Sequence, residues 1–265
     1  MTTQNYLSNV ILGKVLSEAQ EEERLALTRV LNADTSVALR PDELGKKMRR
    51  CAGHGVGNFI RGGEGVPYAE LLNDAAGDLK VDKLKSIYSK IHGNLALCEL
   101  DRLSNSDANS MDQALRLRLV DGYVDELERK LLAKLMSVAY EKATPAQRAE
   151  IDAKVANFAK SQGGKGISGL STSAALLVIG NLGGFATYTL MSTVLSVVSV
   201  GTLGFGAYTL ASSLLSVVLG PVGWLSLAAY GVFRFGSADE AKVVQLAATC
   251  AMTSQRLREK SRSGR

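Results

Sequence analysis

From Gly166 to Phe233 the chain carries no Asp, Glu, Lys, Arg or His, a run of 68 uncharged residues in a protein of 265. Such a run is hard to house in a soluble chain, because even buried helices usually carry charges at their ends and turns. As helix, 68 residues reach roughly 100 Å, whereas one crossing of a bilayer core takes about 20 residues. Candidate spans run from Ala174 to about Val198 and from about Leu203 to Leu219, with a shorter apolar stretch, Val222–Phe233, behind Gly220-Pro221. The run is rich in Gly, Ser and Thr, which suits close helix packing in lipid and equally suits a helix lining water. The competing reading is a buried helical hairpin in a soluble bundle.

Charge elsewhere divides the chain. Residues 1–165 hold 24 Lys+Arg against 23 Asp+Glu, and residues 234–265 hold 7 against 3. This predicts a cytoplasmic helical domain over 1–165, a charge-free transmembrane helical region over 166–235, and a basic cytoplasmic C-terminal helix or tail over 236–265. The tail Arg256–Arg265 has five cations and one acid. By the positive-inside rule it stays in the cytoplasm. The first thirty residues show no small-residue cleavage site after an apolar run, so the N-terminal half is expected there too. Both ends inside require an even number of crossings, most simply two. Cys51, Cys98 and Cys250 are too dispersed for a disulfide frame or a zinc spacing.

The N-terminal part reads as helices. Leu25, Leu27, Val30 and Leu31 follow an acidic first turn, Glu18 to Glu23, as a helix N-terminus favours. Over 122–140, Val124, Leu127, Leu131, Leu135 and Val138 recur at three- and four-residue spacing, with Glu126, Glu128, Arg129 and Lys130 between them. Thr144-Pro145-Ala146-Gln147 supplies an N-cap, a proline at the first helical position and the Gln of a capping box, predicting a helix that ends near Ser161–Gly164. No segment alternates polar and apolar residues as a sheet requires. The fold expected is all-α: an N-terminal helical bundle followed by a C-terminal apolar transmembrane region.

The apolar region contains a repeat. Phe185–Val198 and Phe205–Val218 are identical at nine of fourteen positions at a constant offset of 20. In each unit a Tyr-x-x-x-Ser-x-x-x-Ser stripe falls on one helical face: Tyr188, Ser192 and Ser196, then Tyr208, Ser212 and Ser216. Such a stripe serves either a pore lining or a helix interface. Two short units enclose too little space for a water-filled path, so conduction calls for a ring of subunits, a homo-oligomer in the lipid bilayer.

Glycines 53, 55, 57, 62, 63 and 65 mark backbone with positive φ or the close approach of another group. The phosphate-loop reading fails, for there is no GxxxxGK[ST] and no strand leads into the glycines. A tight interhelical junction is the simpler reading. Arg61, among these glycines, either pairs with Asp74 or Glu70 or joins Lys46, Lys47, Arg49 and Arg50 in holding an anionic regulator, a nucleotide or short oligonucleotide. His54 and His92 are 38 residues apart, and the acids are expected on solvent faces, so no catalytic constellation is legible. Neither enzyme activity, nor cofactor, nor metal is expected.

The block Gly53–Val81 resembles the YaaW-like family of uncharacterised bacterial proteins. The matching positions are Gly55, Asn58, Arg61, Gly62, Gly65, Val66, Tyr68, Asp74, Leu79, Lys80 and Val81, with further likeness at Ala143–Glu150 and in Leu219–Trp224. The resemblance implies an all-α fold and no established activity. This chain departs from the family in being more apolar and less charged after residue 166, which favours a membrane role. Its plan, a helical half followed by an apolar half, is similar to that of the channel-type effectors of anti-phage systems such as Hailong. The function expected is an oligomeric channel or membrane-permeabilising effector in bacterial defence, with the helical domain sensing or gating. The alternative is a non-catalytic helical chaperone or scaffold, soluble or membrane-associated.

Overall fold

The computed structural model describes residues 6–31, 35–52, 63, 65–78, 110–161, 169–182, 190, 194, 197 and 238–263. The regular elements among them are α-helices: α1 (Leu7–Glu18), α2 (Glu21–Leu31), α3 (Pro41–Ala52), α4 (Tyr68–Asp78), α5 (Ser110–Lys142), α6 (Pro145–Ser161), α7 (Thr172–Leu182) and α8 (Ala238–Ser263).

Local signals account for most of the helix ends. Glu21, Glu22 and Glu23 complement the dipole at the start of α2, and the Glu23 carboxylate accepts from the Gln20 N–H at 2.8 Å. Helix α3 opens on Pro41 with Asp42 and Glu43 and closes on Arg49 and Arg50, each charge opposing the dipole end beside it. The capping box before α6 forms as the spacing predicts: the Thr144 N–H donates to Gln147 Oε1 at 2.8 Å, and the Gln147 N–H donates to Thr144 Oγ1 at 3.4 Å. The first turn of α4 is held from another helix, for the Tyr68 N–H donates to Asn9 Oδ1 at 3.0 Å.

Two long helices organise the packing. Helix α5, 33 residues and therefore about 50 Å long, packs against α1, α4, α7 and α8. Its partner α8 contacts α1, α2, α3, α4 and α5. One hydrophobic core joins Leu12 and Leu16 of α1, Leu72 of α4, Leu127 and Leu131 of α5, and Val244 and Leu246 of α8. The 236–265 stretch, expected as a basic helix or tail, thus contributes a central element whose apolar side is buried from Val243 to Met252.

The charge-free stretch begins inside this core. Ala175, Leu176 and Ile179 of α7 are buried, and so are Leu190, Val194 and Val197 beyond it. The Val197 carbonyl accepts from Gln147 Nε2 at 2.8 Å, tying that residue to α6. Asp152 of α6 accepts from both Tyr140 of α5 and Thr172 of α7, fastening the first turn of α7. Among the described residues no helix is long and apolar enough to cross a membrane. The expected span from Leu203 to Leu219, and much of that from Ala174 to Val198, lie outside the described residues.

Candidate functional site

Nonpolar burial does not explain the C-terminal half of α8, which buries polar side chains against acids. Glu128 sits one helical turn from Val124, Leu131 and Leu132, within the apolar stripe of α5, and is 0% exposed. The expectation that the acids lie on solvent faces is therefore wrong for Glu128, and also for Glu23, which is 4% exposed. Both are buried because α8 brings cationic and amide donors to them.

Three donors and one nearby cation serve the Glu128 carboxylate. The Tyr68 hydroxyl donates to Oε1 at 3.0 Å and Gln255 Nε2 to Oε2 at 3.2 Å, with Ser254 as a further side-chain donor. Arg258 Nε stands 3.8 Å from Oε2. The Arg258 guanidinium forks onto Asp121, NH1 to Oδ2 at 2.8 Å and NH2 to Oδ1 at 2.6 Å, the bidentate geometry that carboxylates favour. Gln255 also donates to Asp125 Oδ1 at 2.7 Å. Next to Gln255, Arg256 forks onto Glu23, Nε to Oε1 at 2.9 Å and NH2 to Oε2 at 2.7 Å. Residues 254–258 thereby latch α8 to α2, α4 and α5.

Burial pushes the Glu128 carboxyl up to about 7 from its usual 4.5, although Arg258, Ser254, Tyr68 and Gln255 all pull it down. Burial likewise raises the Tyr68 hydroxyl, and the neighbouring Glu128 charge adds to it. For Arg258 burial opposes the charge, but the Asp121 bonds and the carboxylates of Glu128 and Asp125 outweigh it and raise its pKa. Cys250 is buried beside Glu128 and Glu23, and burial with those charges keeps it a protonated, unreactive thiol. The satisfaction is incomplete, since Arg258 Nε and Thr253 Oγ1 are shielded without a hydrogen-bond partner among the described residues. A buried ionic cluster of this kind contributes little net stability but penalises the loss of any one member. It is suited to hold a helix in one register.

The residues singled out from the sequence fall elsewhere. Tyr188, Ser192, Ser196, Tyr208, Ser212 and Ser216 lie outside the described residues, as do Arg61, His54, His92 and Cys98. Lys46, Lys47, Arg49 and Arg50 share α3. Lys47 pairs with Glu43 at 3.1 Å, and Arg50 Nε donates to the Gly63 carbonyl. None of Lys46, Arg49 and Arg50 is without a partner. Gly65 has φ +78, and a Cβ there would come within 2.4 Å of the Arg49 carbonyl carbon. The Val66 N–H donates to the Arg49 carbonyl at 3.0 Å, so this glycine end closes onto the last turn of α3. Among the described residues no group of three His, Cys, Asp or Glu side chains is placed to hold a metal ion.

No protein-family model, curated protein or solved structure matches the chain.

Proposed function

We propose that this chain is an oligomeric membrane channel or membrane-permeabilising effector: a charge-free segment enters the bilayer, and a helical bundle on the cytoplasmic side senses and gates. The observation that carries this reading is the stretch of sequence between two parts of the chain that share one core. Val197 is buried in the core, and α8 rejoins the same core from Ala238. The 40 residues between them carry one charge, Arg234. That length matches two bilayer crossings of about 20 residues each, an even number with both ends on one bundle.

Gating follows from the latch. Helix α8 is the element directly after the uncharged segment, and its polar half holds it to α2, α4 and α5 through Glu23, Glu128, Asp121 and Asp125. Loosening that cluster weakens the hold on α8, the helix that anchors the segment's C-terminal end. The second stripe of the repeat, Tyr208, Ser212 and Ser216, falls within these 40 residues and supplies the pore lining or subunit interface. The YaaW-like block and the likeness of plan to anti-phage channel effectors support a place in bacterial defence, in the inner membrane with both termini cytoplasmic.

A second reading has its own support. Ala175, Leu176 and Ile179, with Leu190, Val194 and Val197, are covered by the bundle, as expected of a non-catalytic chaperone or scaffold that keeps its apolar half against protein. Alkaline carbonate treatment of membranes separates the two. An inserted protein stays in the pellet and supports ion flux when reconstituted in liposomes; a peripheral scaffold is released and supports none.

A further inference from the structure

An open cleft of about 460 Å³ lies between α1, α5 and α8, within the size range of small-ligand sites. Each helix brings apolar surface and a cation to it. Val10, Ile11 and Val15 of α1 flank Lys14; Leu117 of α5 adjoins Arg118; Leu257 of α8 is followed one turn on by Ser261 and Arg262. Val10 is 52% exposed, an apolar side chain left open to solvent on the cleft wall.

The charge balance at the rim is uneven. Arg258 and Asp121, which also line the cleft, neutralise each other through their forked pair. Lys14, Arg118 and Arg262 make no ion pair among the described residues, and they face one carboxylate not engaged in an ion pair, Glu18. The site therefore favours an anion. Among the described residues no aromatic side chain lines it, so a nucleotide base finds nothing there to stack on. Aliphatic walls beneath a cationic rim fit a flexible hydrocarbon chain ending in a negative head, which loses little water from its charge and buries its tail.

We propose that this cleft binds a single-chain anionic amphiphile of the fatty-acid class. The carboxylate meets Lys14, Arg118 and Arg262 in charge-assisted contacts. The acyl chain lies along Val10, Val15, Leu117 and Leu257. This goes beyond the membrane reading and does not rest on it, since its readout is occupancy of the cleft and not ion flux. Because Ser254, Leu257 and Arg258 belong both to the cleft wall and to the α8 segment holding the latch, the bound chain also bears on the helix that follows the uncharged run.

The test uses the purified full chain, free of added lipid, with a diazirine-bearing dodecanoate, photolysed and mapped by mass spectrometry. Cross-links are expected on peptides covering 10–15 and 254–262, suppressed by excess dodecanoate and not by dodecyltrimethylammonium, which has the same tail and opposite charge. Combined Lys14→Glu, Arg118→Glu and Arg262→Glu should reduce this labelling by about ten-fold, the effect of roughly 1.4 kcal/mol. Val10→Trp, a change at a half-exposed position, should do the same by filling the cleft. Labelling without enrichment on those peptides, or equal suppression by both competitors, overturns the proposal. So does unchanged labelling in a folded variant of either kind, and the competition arm decides even if both variants fail to fold.

Discussion

The Tyr68 hydroxyl donates to Glu128 Oε1 at 3.0 Å, joining two fully buried residues 60 positions apart. The bond is one of those that lower the Glu128 pKa against the pull of burial. Tyr68→Phe removes that donor and leaves a buried carboxylate short of a partner, at a cost of about 1–3 kcal/mol. The loss in urea unfolding should be larger at pH 8, where Glu128 is ionised, than at pH 5. An equal loss at both values would mean that the bond does not favour the carboxylate.

The pH dependence of stability has a definite sign. The folded carboxyl of Glu128 titrates at about 7, above the usual 4.5, so its protonated form is the one the fold prefers. Its contribution is fully present below pH 4.5 and is lost as pH rises through about 7. Relative to Glu128→Gln, the parent should therefore lose about 3 kcal/mol between those limits. Denaturant titrations of both proteins from pH 4 to 8 measure the gap. A gap that stays flat would show that Glu128 ionises as an exposed acid does. The groups facing it in this range are Tyr68 on α4, Asp125 on its own helix, and Arg258 and Cys250 on α8.

Arg256 and Glu23 form the other half of the latch, with side-chain exposures of 17% and 6%. Glu23→Ala leaves the guanidinium half-buried and unpaired and removes the acceptor of the Gln20 N–H, an expected loss of roughly 3–5 kcal/mol. The reversed pair, Glu23→Arg with Arg256→Glu, should recover part of that loss. Thermal melts of the two single variants and the double variant form the cycle. Additive losses would show that the two residues do not act together.

The glycine junction distinguishes two neighbours with nearly the same φ. At Gly65 a Cβ would strike the Arg49 carbonyl carbon, which is main chain and cannot move aside. At Gly63 it would meet only Arg50 NH2, at 3.2 Å, the far end of a flexible side chain. Gly63→Ala should cost about 1–2 kcal/mol, for the left-handed backbone alone. Gly65→Ala should cost distinctly more, since the end of α3 must shift as well. Equal melting temperatures would contradict the close packing of this turn.

How much of this was legible depended on the distance over which each interaction acts. The α5 periodicity through Val124, Leu127 and Leu131, the Thr144–Gln147 box and the acidic start of α2 are local, and the sequence announces them. Glycine density correctly pointed to positive φ and close approach at Gly65. Glu128 reads by its charge as a solvent-facing acid, though its spacing from Val124 and Leu131 puts it inside the apolar stripe. Its partners were not legible at all. Arg258 meets Asp121 across 137 residues and Arg256 meets Glu23 across 233, and no local pattern marks such pairs. The same holds for the burial of α8, whose cations read as a solvated basic tail.

Ion flux from liposomes tests the central claim most directly. Purified protein, reconstituted and challenged with a salt gradient, should discharge it faster than protein-free vesicles. Replacing Ser212 and Ser216 together by Leu should reduce that flux. An arginine at Val217 should reduce membrane insertion, at about 2.5–3.5 kcal/mol near a helix centre. A protein that leaves the gradient intact, and that alkaline carbonate strips from membranes, would contradict the account and leave the scaffold reading in its place.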